Sequence, residues 1–304
     1  MTRLIPMALA AGWMVLPICV LRWLLQRCPK KYLVLLWVPV AMRLCLPLQI
    51  QSTVSLVPTA LSRLSYEPPQ RLLFLWLAGT GCVLACGGFR LLRLKRRLAE
   101  AVHLRRNLWL CDHLPGAFVM GLLHPKIYIP SDLQPEAMAL VIAHERTHIR
   151  RGDVLWKEIA YVLLSIYWFH PLLWLAYLLF CRDVELACDQ AATAGLSQAA
   201  RREYAQALVS CAAPAAPVPG FGSHLLKERI HTILDDRKPP RWAVPAFLVA
   251  FLLLAACFMT NAKPRYSPQV TAAVGQFLEI ELEQERRKPF LLYFSKGLDI
   301  LFYI

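Results

Sequence analysis

The sequence predicts a mainly α fold: a polytopic helical membrane protein carrying one water-facing domain with a small β-sheet. Three observations lead there. Hydrophobic residues make up 57% of the 304 and charged residues only 18%, with a mean hydropathy of +0.44, whereas an ordinary soluble domain is roughly 25% charged. Four apolar runs have about the 17–25 residues that a bilayer's hydrocarbon thickness demands. The basic residues, in excess by a net charge of +14, gather at some ends of these runs and avoid others, as topology requires.

The expected spans are Leu4–Leu21, Tyr32–Leu48, Leu72–Leu92 and Trp242–Met259. A cleaved signal peptide competes for the first, because Ala8, Ala10 and Ala11 are small. The apolar run continues past them to Leu21 and only then meets Arg22, which favours a retained span. Arg22, Arg27, Lys30 and Lys31 follow span one, and Arg90, Arg93, Lys95, Arg96, Arg97, Arg105 and Arg106 follow span three. The stretch Gln49–Gln70 holds only Arg63. Positive-inside then places the N-terminus outside and residues 93–241 in the cytosol. The organisation is three spans in 1–92, a cytosolic domain in 93–241, a fourth span in 242–259 and a short external tail in 260–304. The basic excess reads as topology and contact with anionic lipid. Direct nucleic-acid binding is disfavoured, because the charges hug the membrane ends and no nucleic-acid motif accompanies them.

Within this frame a fifth apolar stretch, Val154–Phe180, contains Lys157, Glu158 and His170-Pro171. A single crossing would invert the next span, and Pro171 starts helices well and breaks them badly. Two short helices, Leu155–Phe169 and Pro171–Cys181, are expected as a hairpin dipping into the inner leaflet or lying on it. Arg43, inside span two, is expected to snorkel to the outer interface; the alternative is a polar contact within the bundle. The ten cysteines include no CxxC pair and indicate a reducing compartment or lipid burial. For Cys82 and Cys86, one turn apart, packing is favoured over a heme or metal role. Residues 212–220 form a Pro/Ala linker.

The chemistry concentrates in Pro135–His148. Pro135 opens a helix at a favoured position, and no Gly or Pro interrupts it. His144 and His148 are i and i+4, so both imidazoles project from one face and can share one Zn²⁺, with Glu145 beside the first ligand as a general base. This HExxH arrangement is that of zinc peptidases; the competing reading is an amphipathic helix whose histidines face solvent. A third ligand is needed to leave the fourth position open. Glu185 meets that need, and Asp189, one turn on, is placed to accept a hydrogen bond from a ligand His. A pair of solvated surface acids is the bland alternative.

HExxH followed by ExxxD resembles the gluzincin pattern. The ordered set resembles more closely the BlaR/MecR family of membrane zinc metallopeptidases. That set comprises Leu36-Trp37 to Arg43 and Pro47, Phe118–Pro130 with its GxxxPxIYxP core, His144–Asp153, His170–Trp174 and Arg182–Asp189. The resemblance implies a bacterial plasma-membrane protein, one Zn²⁺ per chain, and signal-transducing proteolysis of a cytosolic repressor or of the protein's own cytosolic loop. It implies no direct contact with nucleic acid, and a second copy of the chain is a further candidate partner. Phe118–Leu122 and Lys126–Ile129 are β-prone and joined by a His-Pro turn. In gluzincins an edge strand there takes the substrate backbone by strand addition, which makes Phe118, Val119, Met120 and Gly121 the candidate substrate-binding strand; ordinary packing competes. The oxyanion stabiliser is open, with His224, His231 and nearby arginines as candidates.

One departure from the resemblance is expected. Antibiotic-sensing members carry a penicillin-binding domain after the fourth span, and residues 260–304 are too few for one. No SxxK occurs to supply an acylated serine. The tail, Glu-rich at Glu279–Glu285 and apolar from Phe290, is a short helix with a hairpin, a docking segment or a degenerate end. Two rivals to regulatory proteolysis are a non-catalytic transducer whose zinc only holds helices together and a housekeeping quality-control peptidase. Glu145 argues against the first, since a structural zinc needs no base.

Overall fold

The computed structural model describes residues 4–47, 51–57, 69–112, 114, 116–211, 221–235 and 239–262. The expected linker at 212–220 and the tail beyond Ala262 lie outside them, as does the side chain of His224. The described chain is mainly helical with a small mixed sheet.

Helix α1 (Leu4–Leu24) is a continuous helix of 21 residues, and α4 (Gln70–Arg97) one of 28. By length and composition these two are long and apolar enough to cross a membrane. The expected second span is not one helix. It is split into α2 (Lys30–Leu35) and α3 (Val38–Cys45) by a turn at Leu36-Trp37. Pro39 is the reason: it has no N–H to give the preceding turn, so the chain tightens to i→i−3 bonds at Leu36 and Trp37 before restarting. The expected fourth span is α10 (Ala243–Phe258), apolar throughout but only 16 residues, about 24 Å against a hydrocarbon core of about 30 Å.

The stretch Val154–Phe180 forms the expected hairpin in altered proportions. Helix α6 (Asp153–Ile166) leads to a turn at residues 167–170, and α7 (Pro171–Ala192) returns. The return arm does not stop at Cys181, because no Gly or Pro interrupts residues 172–192. Glu185 and Asp189 therefore ride on the hairpin itself. Its buried side chains, among them Leu164, Tyr167 and Leu173, share one core with Ala11, Met14 and Ile18 of α1, Leu33 of α2 and Phe247 of α10. Asp183 of α7, only 1% exposed, binds Arg22 of α1 in a bidentate ion pair and accepts from Trp37 Nε1 at 2.8 Å. Arg43 does not snorkel. It is buried and donates to the Met259 carbonyl at 2.9 Å and to Asn261, capping the end of α10.

The sheet has the order β2–β3–β5–β4, from β2 (Val102–Arg105), β3 (Leu108–Cys111), β4 (Phe118–Met120) and β5 (Lys126–Pro130). β4 and β5 pair antiparallel across the expected turn, and β3 runs parallel to β5. A separate parallel pairing joins β1 (Gln51–Ser52) to β6 (Asn261–Ala262). The inner face of the sheet, Leu108, Ile127 and Ile129, packs on Met138, Ile142 and Ile149 of α5 (Pro135–Arg151). Each such aliphatic buried from water contributes about 1.5–3 kcal/mol, so the sheet holds α5 by one face and leaves its other face for the site. Helices α8 (Gln198–Cys211) and α9 (Phe221–Leu234) pack together around Tyr204, Ala205 and Ile233.

Candidate metal centre

The i, i+4 spacing on α5 puts His144 and His148 side by side, both 7% exposed, with their Nε2 atoms 3.1 Å apart. Two imidazole nitrogens facing each other this closely repel unless a proton or a cation lies between them. Glu185 comes in from α7, its Oε2 3.8 Å from His144 Nε2 and its Oε1 3.6 Å from His148 Nε2. Ligand atoms on one tetrahedral ion at about 2.0–2.2 Å stand about 3.3 Å apart. The triangle of two nitrogens and a carboxylate therefore has the size and donor chemistry that zinc takes.

The far nitrogens are tied as metal-ligating imidazoles usually are. His148 Nδ1 meets Asp153 Oδ2 at 2.8 Å, and His144 Nδ1 meets the Tyr204 hydroxyl at 2.6 Å and Asp189 Oδ1 at 3.3 Å. Gly152 makes the first of these possible. Its φ of +68° ends α5 and turns the chain so that Asp153 opens α6 beside the last turn of α5. Cys188 also lies within 4.8 Å of the two imidazoles. Its Sγ meets His144 at Nδ1 (3.7 Å) and at the carbonyl (3.6 Å), whereas the Glu185 carboxylate comes to both Nε2 atoms.

Around this triangle the charges are balanced. Lys157 Nζ donates to Glu185 Oε1 at 2.7 Å, and Arg229 of α9 grips Asp189 at 2.7 and 2.9 Å with its Nη2 3.6 Å from Glu185 Oε2. Burial alone would raise the Glu185 carboxyl, but Lys157 and the two imidazoles hold it well below the usual carboxylate range. Burial disfavours charge on the imidazoles too. Cys188 and Glu185 nevertheless raise His144 to about 9, and Asp153, Cys188 and Glu185 raise His148 to about 12. Glu145 is buried beside them, and burial pushes its carboxyl above the ordinary value against the pull of His144 and His148. A carboxylate raised in this way is a better proton acceptor near neutral pH.

His144, Glu145, His148, Lys157, Glu185 and Arg229 line one cleft of about 350 Å³. Residues 116–119 form one wall, Leu140 and Val141 another, and Ala207 and Leu208 a third. Of the four residues expected in a substrate strand, Phe118 and Val119 reach the cleft. Met120 completes β4, the edge strand. Gly121 lies past its end at φ +106°, where a Cβ would meet the His124 carbonyl at 2.7 Å. His231 is exposed on α9 and does not line the cleft; Arg229, two residues before it, does. No spacing ties Lys157 or Tyr204 to the histidines, whereas Arg229 is one of the arginines near His224 and His231 expected as oxyanion stabilisers. Asp153 carried a usable signal, a Gly-Asp pair just after the second His.

A family described as BlaR1 peptidase M56 matches residues 74–233. The methicillin resistance mecR1 protein of Staphylococcus aureus is 22% identical over 202 residues, covering 62% of this chain and 33% of that protein. The protein of the same name from Staphylococcus epidermidis matches equally. Regulatory protein BlaR1 of Bacillus licheniformis is 28% identical over 99 residues, 32% of this chain and 16% of its own. The chain spans about a third of the length of the mecR1 proteins it matches.

Proposed function

The chain belongs to the BlaR1 peptidase M56 family, and from that premise we propose that it is a membrane-embedded zinc metalloendopeptidase with a cytosolic active site, acting in regulatory proteolysis. The observation that carries the reading is the convergence of His144 Nε2, His148 Nε2 and the Glu185 carboxylate on one point beside Glu145. His144, His148 and Glu185 would hold the metal, with Asp153, Tyr204 and Asp189 fixing the imidazoles from behind. Zinc bound there would supply Lewis-acid chemistry, polarising a scissile carbonyl and acidifying water. Glu145 accepts the proton and returns it to the leaving amine. β4, an edge strand, offers its free backbone groups to an extended substrate, and Arg229 and Lys157 bring positive charge to the cleft where negative charge develops. The substrate we favour is a cytosolic repressor or the protein's own cytosolic loop, on the strength of the family and of the relatives' names. The protein purified in detergent should cleave such a substrate, lose that activity to a chelator and regain it with zinc. Chelator-resistant cleavage would remove the metal from the mechanism.

The expected second-sphere effect is separable. Asp153→Ala and Asp189→Ala should each weaken zinc binding by about 10–100-fold, as the loss of such partners does. Competition against a chromogenic chelator measures this, and unchanged affinity in both would detach them from the site.

The proposed topology has four crossings, α1, α2–α3, α4 and α10, with the hairpin re-entering from the cytosolic side. Reporters fused after Arg97 and at Gly195 should read cytosolic and one at Ser55 external, since the basic clusters flank the first two sites' side. An external signal at Gly195 would mean that the hairpin crosses.

A further inference from the structure

The turn of the hairpin touches a different span with almost every residue. Tyr167, 2% exposed, donates its hydroxyl to the Leu44 carbonyl at the end of α3 at 2.7 Å. The His170 ring lies on Gly12, midway along α1, so closely that a Cβ there would stand 2.2 Å from Cε1. The Trp168 ring lies on Gly79 of α4, where a Cβ would stand 2.2 Å from Cε2, and Trp76 Nε1 donates to the Ile166 carbonyl at 2.8 Å. Arg43, next to Leu44, holds the end of α10. Such glycine contacts are how helices approach closely in lipid, where no hydrophobic drive separates protein from solvent.

From this turn α6 runs back to Lys157 and Asp153, and α7 runs on to Glu185 and Asp189, each arm about 20 Å long at 1.5 Å per residue. We propose that Tyr167, Trp168 and His170 are positioning residues of the metal centre: the spans, by fixing where the turn sits, fix how α6 and α7 present their groups to His144 and His148. This rests on the zinc peptidase reading. Side chains 20 Å from the chemistry matter because the arms between are uninterrupted helices, and close-packed elements shift between discrete arrangements rather than deform. A displacement of about 1 Å at a catalytic group costs on the order of 100-fold in rate.

The test uses Gly12→Ala and Gly79→Ala in the full chain. Within an isolated helix each change favours folding, so any damage comes from the ring the new methyl meets. Cobalt(II) replaces zinc as the probe, and its ligand-field absorption reports the geometry of the site. Gly12→Ala should alter that absorption and lower cleavage about 100-fold, and adding His170→Ala, which vacates the space, should restore both. Gly79→Ala with Trp168→Ala should behave alike and serves if the first variant fails to insert. Wild-type spectra and cleavage in both glycine variants would overturn the inference, as would failure of both double variants to recover. A wild-type protein that takes up neither cobalt nor zinc would instead sink the metallopeptidase reading, and the inference with it.

Discussion

Glu145→Gln is expected to keep its zinc and lose its proteolysis. The side chain makes none of the three contacts with the point where His144, His148 and Glu185 converge, and Gln is nearly isosteric and a good helix former. Zinc content and membrane insertion should therefore match wild type. Cleavage should fall by about 10²–10⁴-fold, the range supplied by a positioned acid–base group. The buried Glu145 carboxyl, raised above its ordinary value, is the proton acceptor we propose, and an amide cannot replace it. Immunoblotting of the chain's own cytosolic segment, or of a co-expressed repressor candidate, reads the outcome. Equal cleavage by variant and wild type would assign the hydrolysis to another protease. Signalling that needs zinc but no cleavage would favour the non-catalytic transducer.

His148→Ala should bring zinc from about one ion per chain to near none. It removes one of the three proposed ligands and leaves Asp153 paired with Arg151, at 3.0 Å, so the fold has no new unpaired buried charge to carry. Metal analysis of the detergent-purified protein decides it. Glu185→Gln should behave like His148→Ala. Cys188→Ala should retain the metal, because its thiol faces the back of His144. Zinc retained without Glu185 and lost without Cys188 would exchange their roles.

What the sequence made legible was local spacing. His144 and His148, and likewise Glu185 and Asp189, are pairs one helical turn apart, and the periodicity that reveals such pairs also fixes their faces. That the two pairs meet was an inference from the chemistry of zinc, and in the structure their donor atoms do converge. Lys157 was illegible, and Arg229 stood out only as one of several arginines near His224 and His231, because both reach Glu185 and Asp189 from other helices at distances set by packing alone. Arg43 was misjudged for a related reason: its partners, Met259 and Asn261, lie just past α10, more than two hundred residues away. The break in the second span was legible in Pro39 and outweighed by an apolar count that treats proline as neutral. The sheet was visible as two β-prone runs. Its other two strands, four residues each, give no periodic signal long enough to read.

The junction at Gly152 has a consequence for how the centre is built in time. No atom lies within 4 Å of where a Cβ would stand, so glycine is needed there for its left-handed backbone alone, at a cost of roughly 1–2 kcal/mol for any other residue. That one residue lets a single unbroken segment, 144–153, deliver both imidazoles and the carboxylate that orients the second. The nitrogen half of the centre is thus local and is complete as soon as this helix pair forms. The oxygen half is not: Glu185 arrives only after the chain has run out along α6, turned and come back along α7. On a growing chain an early ion meets two nitrogens and nothing to close the site. The metal site we propose is therefore complete only once the hairpin is seated among α1, α3 and α4.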